Sequence, residues 1–195
     1  IEENPEMLLL RLWSDYNRTS GFNVLAGSTQ LEKIENLISI SPPNGSVKVE
    51  QIRGHCDALR SFQHFMNADG ESALKYARSA CENIPSHHKR ARLRAHIFQL
   101  GAYQMIGEFE SGLSRYNKDL QENRHLISGY RAMYLANLCV IYWIDADLIS
   151  MLQTSENTLK IATDHGISEA IAFSLYFYGI ACYHHAKFCG AGQQI

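Results

Sequence analysis

At 195 residues, 46% of them hydrophobic and 19% charged, the chain can bury a sizeable core, whether as one large domain or as a stretch of a longer array. A formal net charge of −2 argues against a basic nucleic-acid face, and no apolar run approaches the length of a membrane span. The five cysteines (56, 81, 139, 182, 189) are an odd number, mostly inside apolar runs, and read as buried free thiols in a reducing cytoplasm.

The opening Ile1-Glu-Glu-Asn-Pro5 has no basic stretch followed by an apolar one, so no secretory signal is visible. Pro5 suits a first helical turn and introduces Met7-Leu-Leu-Leu-Arg-Leu-Trp13, whose apolar spacing continues to Tyr16. Thr19-Ser-Gly21 breaks that helix. A second helix is expected from Phe22 to about Ser39, with Val24, Leu25, Leu31, Ile34, Leu37 and Ile38 as its apolar positions. Ser41-Pro-Pro-Asn-Gly-Ser46 is the strongest loop signal and closes an N-terminal helical pair over residues 1–46.

Three helix pairs follow. The first runs from about Val47 to Asn67 and on to Asn83, where Pro85 stops it. The second runs from Lys89 to Ile106 and from Glu108 to about Asn123. The third covers about Ile127 to Ile144 and Asp147 to His165, closed by Gly166 in the place of a C′ glycine. Ser168 then caps a helix from Glu169 to about Lys187. No period-2 alternation flanked by hairpin turns occurs, so the expected fold is all-α.

The turns between paired helices recur. Ala68-Asp69-Gly70, Gly107-Glu108-Phe109 and Ala146-Asp147-Leu148 start 39 residues apart (107 − 68 = 146 − 107 = 39), and Ala186-Lys187-Phe188 offers a fourth, weaker copy 40 residues on. Such an interval marks a solenoid of helix–turn–helix units. The repeats divide at about 47–86, 87–125, 126–166 and 167–195, the last truncated, which makes the chain a fragment of a longer protein. Ala73, Ala80 and Pro85 fall on the small, small and proline positions of a tetratricopeptide unit, and Tyr103 and Tyr142 on its aromatic position. The expected architecture is a right-handed α-solenoid of tetratricopeptide-like repeats, with about five more residues per unit than the usual 34.

In that geometry the first helix of each unit lines an inner groove. Its lining comprises Phe62, Phe65 and Met66; Arg94, Ile97, Gln104 and Met105; Met133, Val140, Trp143 and Ile144; then Phe173, Tyr176, Ile180, Tyr183 and His184. So apolar a lining on a wet face points to an interaction site. The candidate contact residues are Phe62, Phe65, Arg94, Tyr103, Gln104, Trp143, Tyr176 and Tyr183. Aromatic platforms suit sugars or apolar side chains, and Arg94 and Gln104 supply directional hydrogen bonds.

Chemistry is sparse. Cys182-Tyr-His184-His185-Ala-Lys-Phe-Cys189 carries metal-type ligands on one helical face, but at none of the specific zinc spacings, so no metal is assigned. Lys89, Arg90, Arg92 and Arg94 form either a wet helix face or an anion patch, and His87-His88 reads as solvated loop. No Gly-x-Ser-x-Gly elbow occurs, and Asp145 and Asp147 flank a turn where capping explains them. No catalytic residue is expected.

Units reading aromatic-x-x-x-Gly-Asp/Glu-aromatic/Leu-x-x-Ala resemble the helical repeat region of large ATP-binding LuxR-type bacterial transcriptional regulators, the group that includes the maltose-regulon activator. Asn4-Pro-Glu-Met-Leu-Leu-Leu-Arg-Leu-Trp13 resembles that region's opening helix. Ala68-Asp-Gly-Glu-Ser-Ala-Leu74 and Leu135-Ala-Asn-Leu-Cys-Val-Ile-Tyr142 resemble its internal repeats. The resemblance implies a sensor segment that binds a small effector or a protein segment, with DNA binding outside it. The apolar-run lengths and cysteines point to a cytoplasmic segment without membrane contact, and self-association through the raw ends of the array stays open beside this reading. The resemblance also implies that ATP binds in an upstream domain, since this segment has no Gly-x-x-x-x-Gly-Lys-Ser/Thr and needs no cofactor of its own.

Overall fold

The computed structural model describes residues 4–19, 28–40, 46–122 and 128–191, and these are helical throughout apart from short turns. The helices are α1 (Pro5–Thr19), α2 (Ser28–Ile40), α3 (Ser46–Met66), α4 (Gly70–Asn83), α5 (Lys89–Met105), α6 (Phe109–Glu122), α7 (Ser128–Ile144), α8 (Leu148–Asp164) and α9 (Ser168–Ala191). The all-α expectation holds, and most helix ends fall within a residue or two of those expected. The Gly21 break, the Phe22–Leu25 start of the second helix and the Pro42–Gly45 loop lie outside the described residues.

Local chemistry accounts for the ends. Asn4 caps α1 through its Oδ1, which accepts from the Glu6 N–H at 2.8 Å, and Pro5 takes the first helical position. Ile84 ends α4 in an extended conformation (φ −71°, ψ 123°), as a residue before proline must. At the hairpin turns one residue adopts a left-handed conformation: Ala68 (φ 59°), Gly107 (φ 79°) and Ala146 (φ 58°), with Gly166 (φ 64°) between α8 and α9. Each carries the same pair of bonds. The left-handed residue's N–H reaches back three residues, and the next N–H reaches back five, as in Asp69 N to His64 O, Glu108 N to Tyr103 O and Asp147 N to Tyr142 O, all at 2.9 Å. This is the Schellman motif.

In two of these turns the residue that completes the motif also caps the next helix. Asp69 Oδ1 accepts from Ser72 N at 3.1 Å, and Asp147 Oδ1 from Ser150 N at 3.0 Å. The turn at Ala186-Lys187-Phe188 does not form; α9 continues through it to Ala191. Lysine at the middle position has no acceptor with which to cap a helix, so nothing there competes with helix propagation.

Contacts divide the chain into two compact units, Ile1–Ser114 and Arg115–Ile195, with the boundary inside α6. In the first unit α3, α4 and α5 pack in sequence, and α5 also touches α3. Alanines let the helices approach closely: Ala58, Ala80 and Ala95 are fully buried against one another, as are Ala73 and Ala102. Ser61 Oγ donates to Ala73 O at 2.8 Å, tying α3 to α4. α1 and α2 lie against α3 and build the main core from Leu9, Leu12, Tyr16, Leu31, Ile34, Ile38, Ile52, Cys56 and Leu59. Arg60 of α3 holds both carboxylate oxygens of Glu35 of α2, a bidentate geometry that fixes orientation as well as charge. Gly112 at the start of α6 rests on α5, where a Cβ would fall 2.6 Å from Tyr103 Cβ.

The second unit repeats this order. α8 packs on α7, and α9 packs on both. Ala132, Ala162 and Ala170 form one cluster, and Cys139, Met151, Phe177 and Ala181 another. The last turns of α6 are pinned to α7 by Tyr116, whose hydroxyl donates to Tyr134 O at 2.9 Å, and by the Tyr134 hydroxyl on Asp119.

A left-handed alanine costs about 1 kcal/mol that glycine avoids. Ala68→Gly and Ala146→Gly should therefore each raise stability by roughly 0.5–1 kcal/mol, and Gly107→Ala should lower it by about 1 kcal/mol. Urea unfolding followed by circular dichroism checks all three. Destabilisation by the glycine variants would contradict the turn assignment.

Candidate functional site

The eight candidate contact residues fall into two groups with different surroundings. In the first unit they pack inward. Phe62 of α3 is half-buried, with its ring 5.2 Å from Tyr16 and 5.3 Å from Phe98 of α5. Tyr16 belongs to α1, which crosses the face that carries Phe62. The guanidinium of Arg94 lies 5.8 Å above the Tyr16 ring, so this charge stacks on an aromatic face. Burial raises the Tyr16 phenol above its usual range, against a smaller opposing effect of Arg94.

Phe65 packs with Ala73, Leu74, Ala102 and Tyr103. It fits because residue 101 is glycine: a Cβ there would sit 2.8 Å from Phe65 Cε2. Tyr103 is only 6% exposed, and its hydroxyl accepts from Arg78 Nη2 at 3.0 Å while the same guanidinium sits 5.4 Å above the ring. Gln104 is half-buried one residue further along α5.

The second unit presents its candidates to water. Trp143 of α7 and Tyr176 of α9 are 47% and 60% exposed. Both flank Phe177, which is buried on Cys139, Met151 and Ala181; the ring centroids lie 6.2 Å and 5.2 Å from that of Phe177. Phe173, also exposed, adds a fourth ring at 6.4 Å. The result is a wet aromatic rim around a buried ring, joined on α7 by exposed Ile144. Tyr183 is exposed nearly two turns further along α9, its ring edge-on to His184 at 5.5 Å. Sequence periodicity alone marks all these faces as apolar. It carries no signal that α1 covers one set and leaves the other open.

The basic cluster at the start of α5 also divides. Arg92 Nη1 donates to the Ile84 carbonyl at 2.9 Å, satisfying the end of α4, and Arg94 is on Tyr16. Lys89 and Arg90 are left as the outward charges of a four-residue patch. At the other end of the chain, Cys182 is exposed, while the side chains of His185 and Cys189 lie outside the described residues. Among the described residues no group of three or more metal-type side chains is placed to hold an ion.

Two polar clusters were not evident in the sequence. Cys81 Sγ lies 3.7 Å from His96 Nδ1 and 3.9 Å from Gln99 Oε1, all three buried between α4 and α5. His96 and Gln99 share a helical face, a spacing with nothing to set it apart from ordinary core. Sealed this far from solvent, the thiol and imidazole serve packing rather than attack on a substrate. Cys56 and Cys139 are likewise buried thiols, each pushed up to about 12 by burial.

The second cluster joins α3 to the start of α5. His55 Nε2 is 2.9 Å from His88 Nδ1, and the His55 ring packs edge-on against Trp13 at 6.0 Å. His88 in turn touches the His87 ring at 4.4 Å. Burial, and secondarily His88, lowers His55 to about 4. His88 is lowered too, by burial and then by His87. Because the folded-state value lies below the unfolded value near 6.5, the neutral ring's contribution is complete above pH 6.5 and is lost as pH falls towards 4. Stability should drop by about 2 kcal/mol between pH 7.5 and pH 5. Urea titrations at the two values measure this, and His55→Phe, which keeps the ring against Trp13, should remove most of the difference.

Compared with protein-family models, curated proteins and solved structures, the chain matches none.

Proposed function

We propose that this chain is a non-catalytic binding segment of a bacterial LuxR-type transcriptional regulator, receiving a small effector or a protein segment on the aromatic surface of α7 and α9. Its finer architecture in this reading is a right-handed solenoid of tetratricopeptide-like hairpins with a 39-residue interval. The recurrence of one left-handed turn at Ala68, Gly107 and Ala146 supports this. The regulator assignment rests on the resemblance of the repeat motifs. It places ATP binding upstream and a DNA-binding helix-turn-helix domain downstream, in a cytoplasmic protein.

The observation that carries the binding site is the exposure of Trp143 and Tyr176 on either side of Phe177. Two flat, wet rings on different helices, held by a buried third, present π faces without a charge to dictate the ligand's sign. Such a surface suits the apolar face of a neutral sugar or an apolar peptide side chain. Because the rings sit on separate helices, a ligand that bridges them favours one α7–α9 spacing. Binding then biases the array towards that spacing, which is how an effector state reaches neighbouring domains.

The alternative is a scaffold that binds a partner's helix or tail. The breadth of the patch, with Ile144 and Phe173 both exposed, favours that reading. A Trp13→Phe variant makes Trp143 the sole indole, so its fluorescence reports directly on the surface. Titration with a panel of neutral oligosaccharides should give a saturable shift for at least one member. Tyr176→Ala should weaken binding by about tenfold or more with Tm unchanged. A flat response across the panel, alongside stable co-purification of a protein, would replace the effector reading with the scaffold.

A further inference from the structure

His55 and His88 come together where α3 passes the junction of α4 and α5. Gly54 permits the approach: a Cβ there would fall 2.8 Å from Asn83 Cβ and 3.0 Å from the Ile84 nitrogen. His88 occupies the N-cap place of α5, and its backbone is held on both sides. Its N–H donates to Pro85 O at 2.9 Å, and its carbonyl accepts from Arg92 N at 3.1 Å. A side chain at that place ordinarily closes the free amides of the first turn. That of His88 makes no capping bond and meets His55 instead. The His55 ring is in turn set edge-on to Trp13 at 6.0 Å. Two imidazoles 33 residues apart are thus held with their nitrogens converging.

The separation of His55 Nε2 and His88 Nδ1, 2.9 Å, is that of an N–H···N hydrogen bond, and it is also the span of two ligands on one metal ion. Metal–imidazole bonds of about 2.0–2.1 Å place two nitrogens about 3.3 Å apart at the tetrahedral angle and about 2.9 Å apart at a right angle. The observed span fits the right angle. Nitrogen ligands so arranged belong to square-planar or tetragonal ions, Cu2+ and Ni2+, of which Cu2+ binds the more tightly. The surroundings select in the same direction. Among the described residues no Asp, Glu or Cys joins the pair as a third protein ligand, and Lys89 and Arg90 follow directly in the chain. Oxygen-seeking Mg2+ and Ca2+ find neither ligand nor favourable charge there.

We infer that His55 and His88 form a binding site for a divalent copper ion, which clamps α3 to the start of α5. The site is independent of the aromatic surface on α7 and α9 and of the regulator reading. Water fills the remaining coordination positions, and the exposed His88 gives the ion its way in. In the metal-free chain the two rings share one N–H···N bond. On binding, the bridging proton moves to the far nitrogen of its own ring, so both neutral imidazoles present a lone pair with no net proton release. A single hydrogen bond between α3 and α5 is thereby replaced by two coordination bonds.

Titration of the untagged 195-residue chain with Cu2+, against glycine as competing ligand, tests the site. One equivalent should bind, raise Tm and give an axial electron paramagnetic resonance spectrum coupled to two imidazole nitrogens. His55→Phe and His88→Ala should each weaken binding by at least about tenfold, since loss of even an outer partner of a metal ligand costs that much. His88 is exposed at a helix start, so His88→Ala retains the metal-free helicity and Tm that make the comparison readable. His184 and His185 are another adjacent pair in the sequence, and replacing both by alanine should leave the first equivalent unchanged. The site is overturned by absence of binding at micromolar Cu2+, by unchanged affinity in either His55→Phe or His88→Ala, or by loss of the first equivalent in the His184/His185 variant. Binding that leaves Tm unmoved would overturn the clamp.

Discussion

The fold depends on turns in which one residue serves two helices. At Ala68–Asp69 and Ala146–Asp147 the backbone amides close the last turn of one helix, and the aspartate carboxylate opens the next. Helix ends leave four donors or acceptors unsatisfied, and a hairpin of this kind settles both ends within three residues. Asp69 shows the electrostatic side of this: hydrogen bonds from Ser72, with a lesser one from His64, hold its carboxyl below the usual carboxylate range. A turn so short fixes the relative position of the helices it joins. That in turn requires small residues where they meet, and buried alanines occupy those places in both units.

With turns and alanines setting a common hairpin, the differences between the units lie in what covers each helix. α1 lays Tyr16 on Phe62 and Phe98 and takes up the Arg94 charge, converting a would-be groove into core. Each aromatic pair in that cluster is worth about 0.5–1.5 kcal/mol beyond its buried area, which makes α1 an integral layer rather than an appended arm. The equivalent surface of α7 and α9 has Trp143 and Tyr176 exposed. One sequence pattern therefore yields a packed interior in one unit and an accessible aromatic surface in the other.

That contrast explains what could be read in advance. Helix ends were legible because they rest on local chemistry: Pro5, Pro85, Gly107, Gly166 and the capping aspartates act within a few residues of themselves. The fourth triplet misled because Lys187 has no acceptor of the kind that Asp69 and Asp147 bring to the turns at Ala68 and Ala146. Phe62, Phe65 and Tyr103 could not be told from groove residues, since an apolar stripe declares that a face is covered and not by what. Tyr16 lies some 46 residues before Phe62 (62 − 16 = 46), beyond any periodicity. The His55–His88 contact and the Cys81–His96–Gln99 cluster were missed for the same reason, because both join residues that only helix packing brings together.

The exposed residues bear on function through their arrangement. On α9 the aromatic side toward Trp143 and the outward side through Gly179 are adjacent faces of one helix, and neither carries a charge. Phe177 is the element through which a shift of α9 acts. It contacts Trp143 and Tyr176 outward and sits inward on Met151 and Cys139, so movement of α9 relative to α7 must repack it. A buried aromatic in a dense cluster repacks between discrete arrangements rather than sliding continuously. That property would give a binding segment two states instead of a graded response.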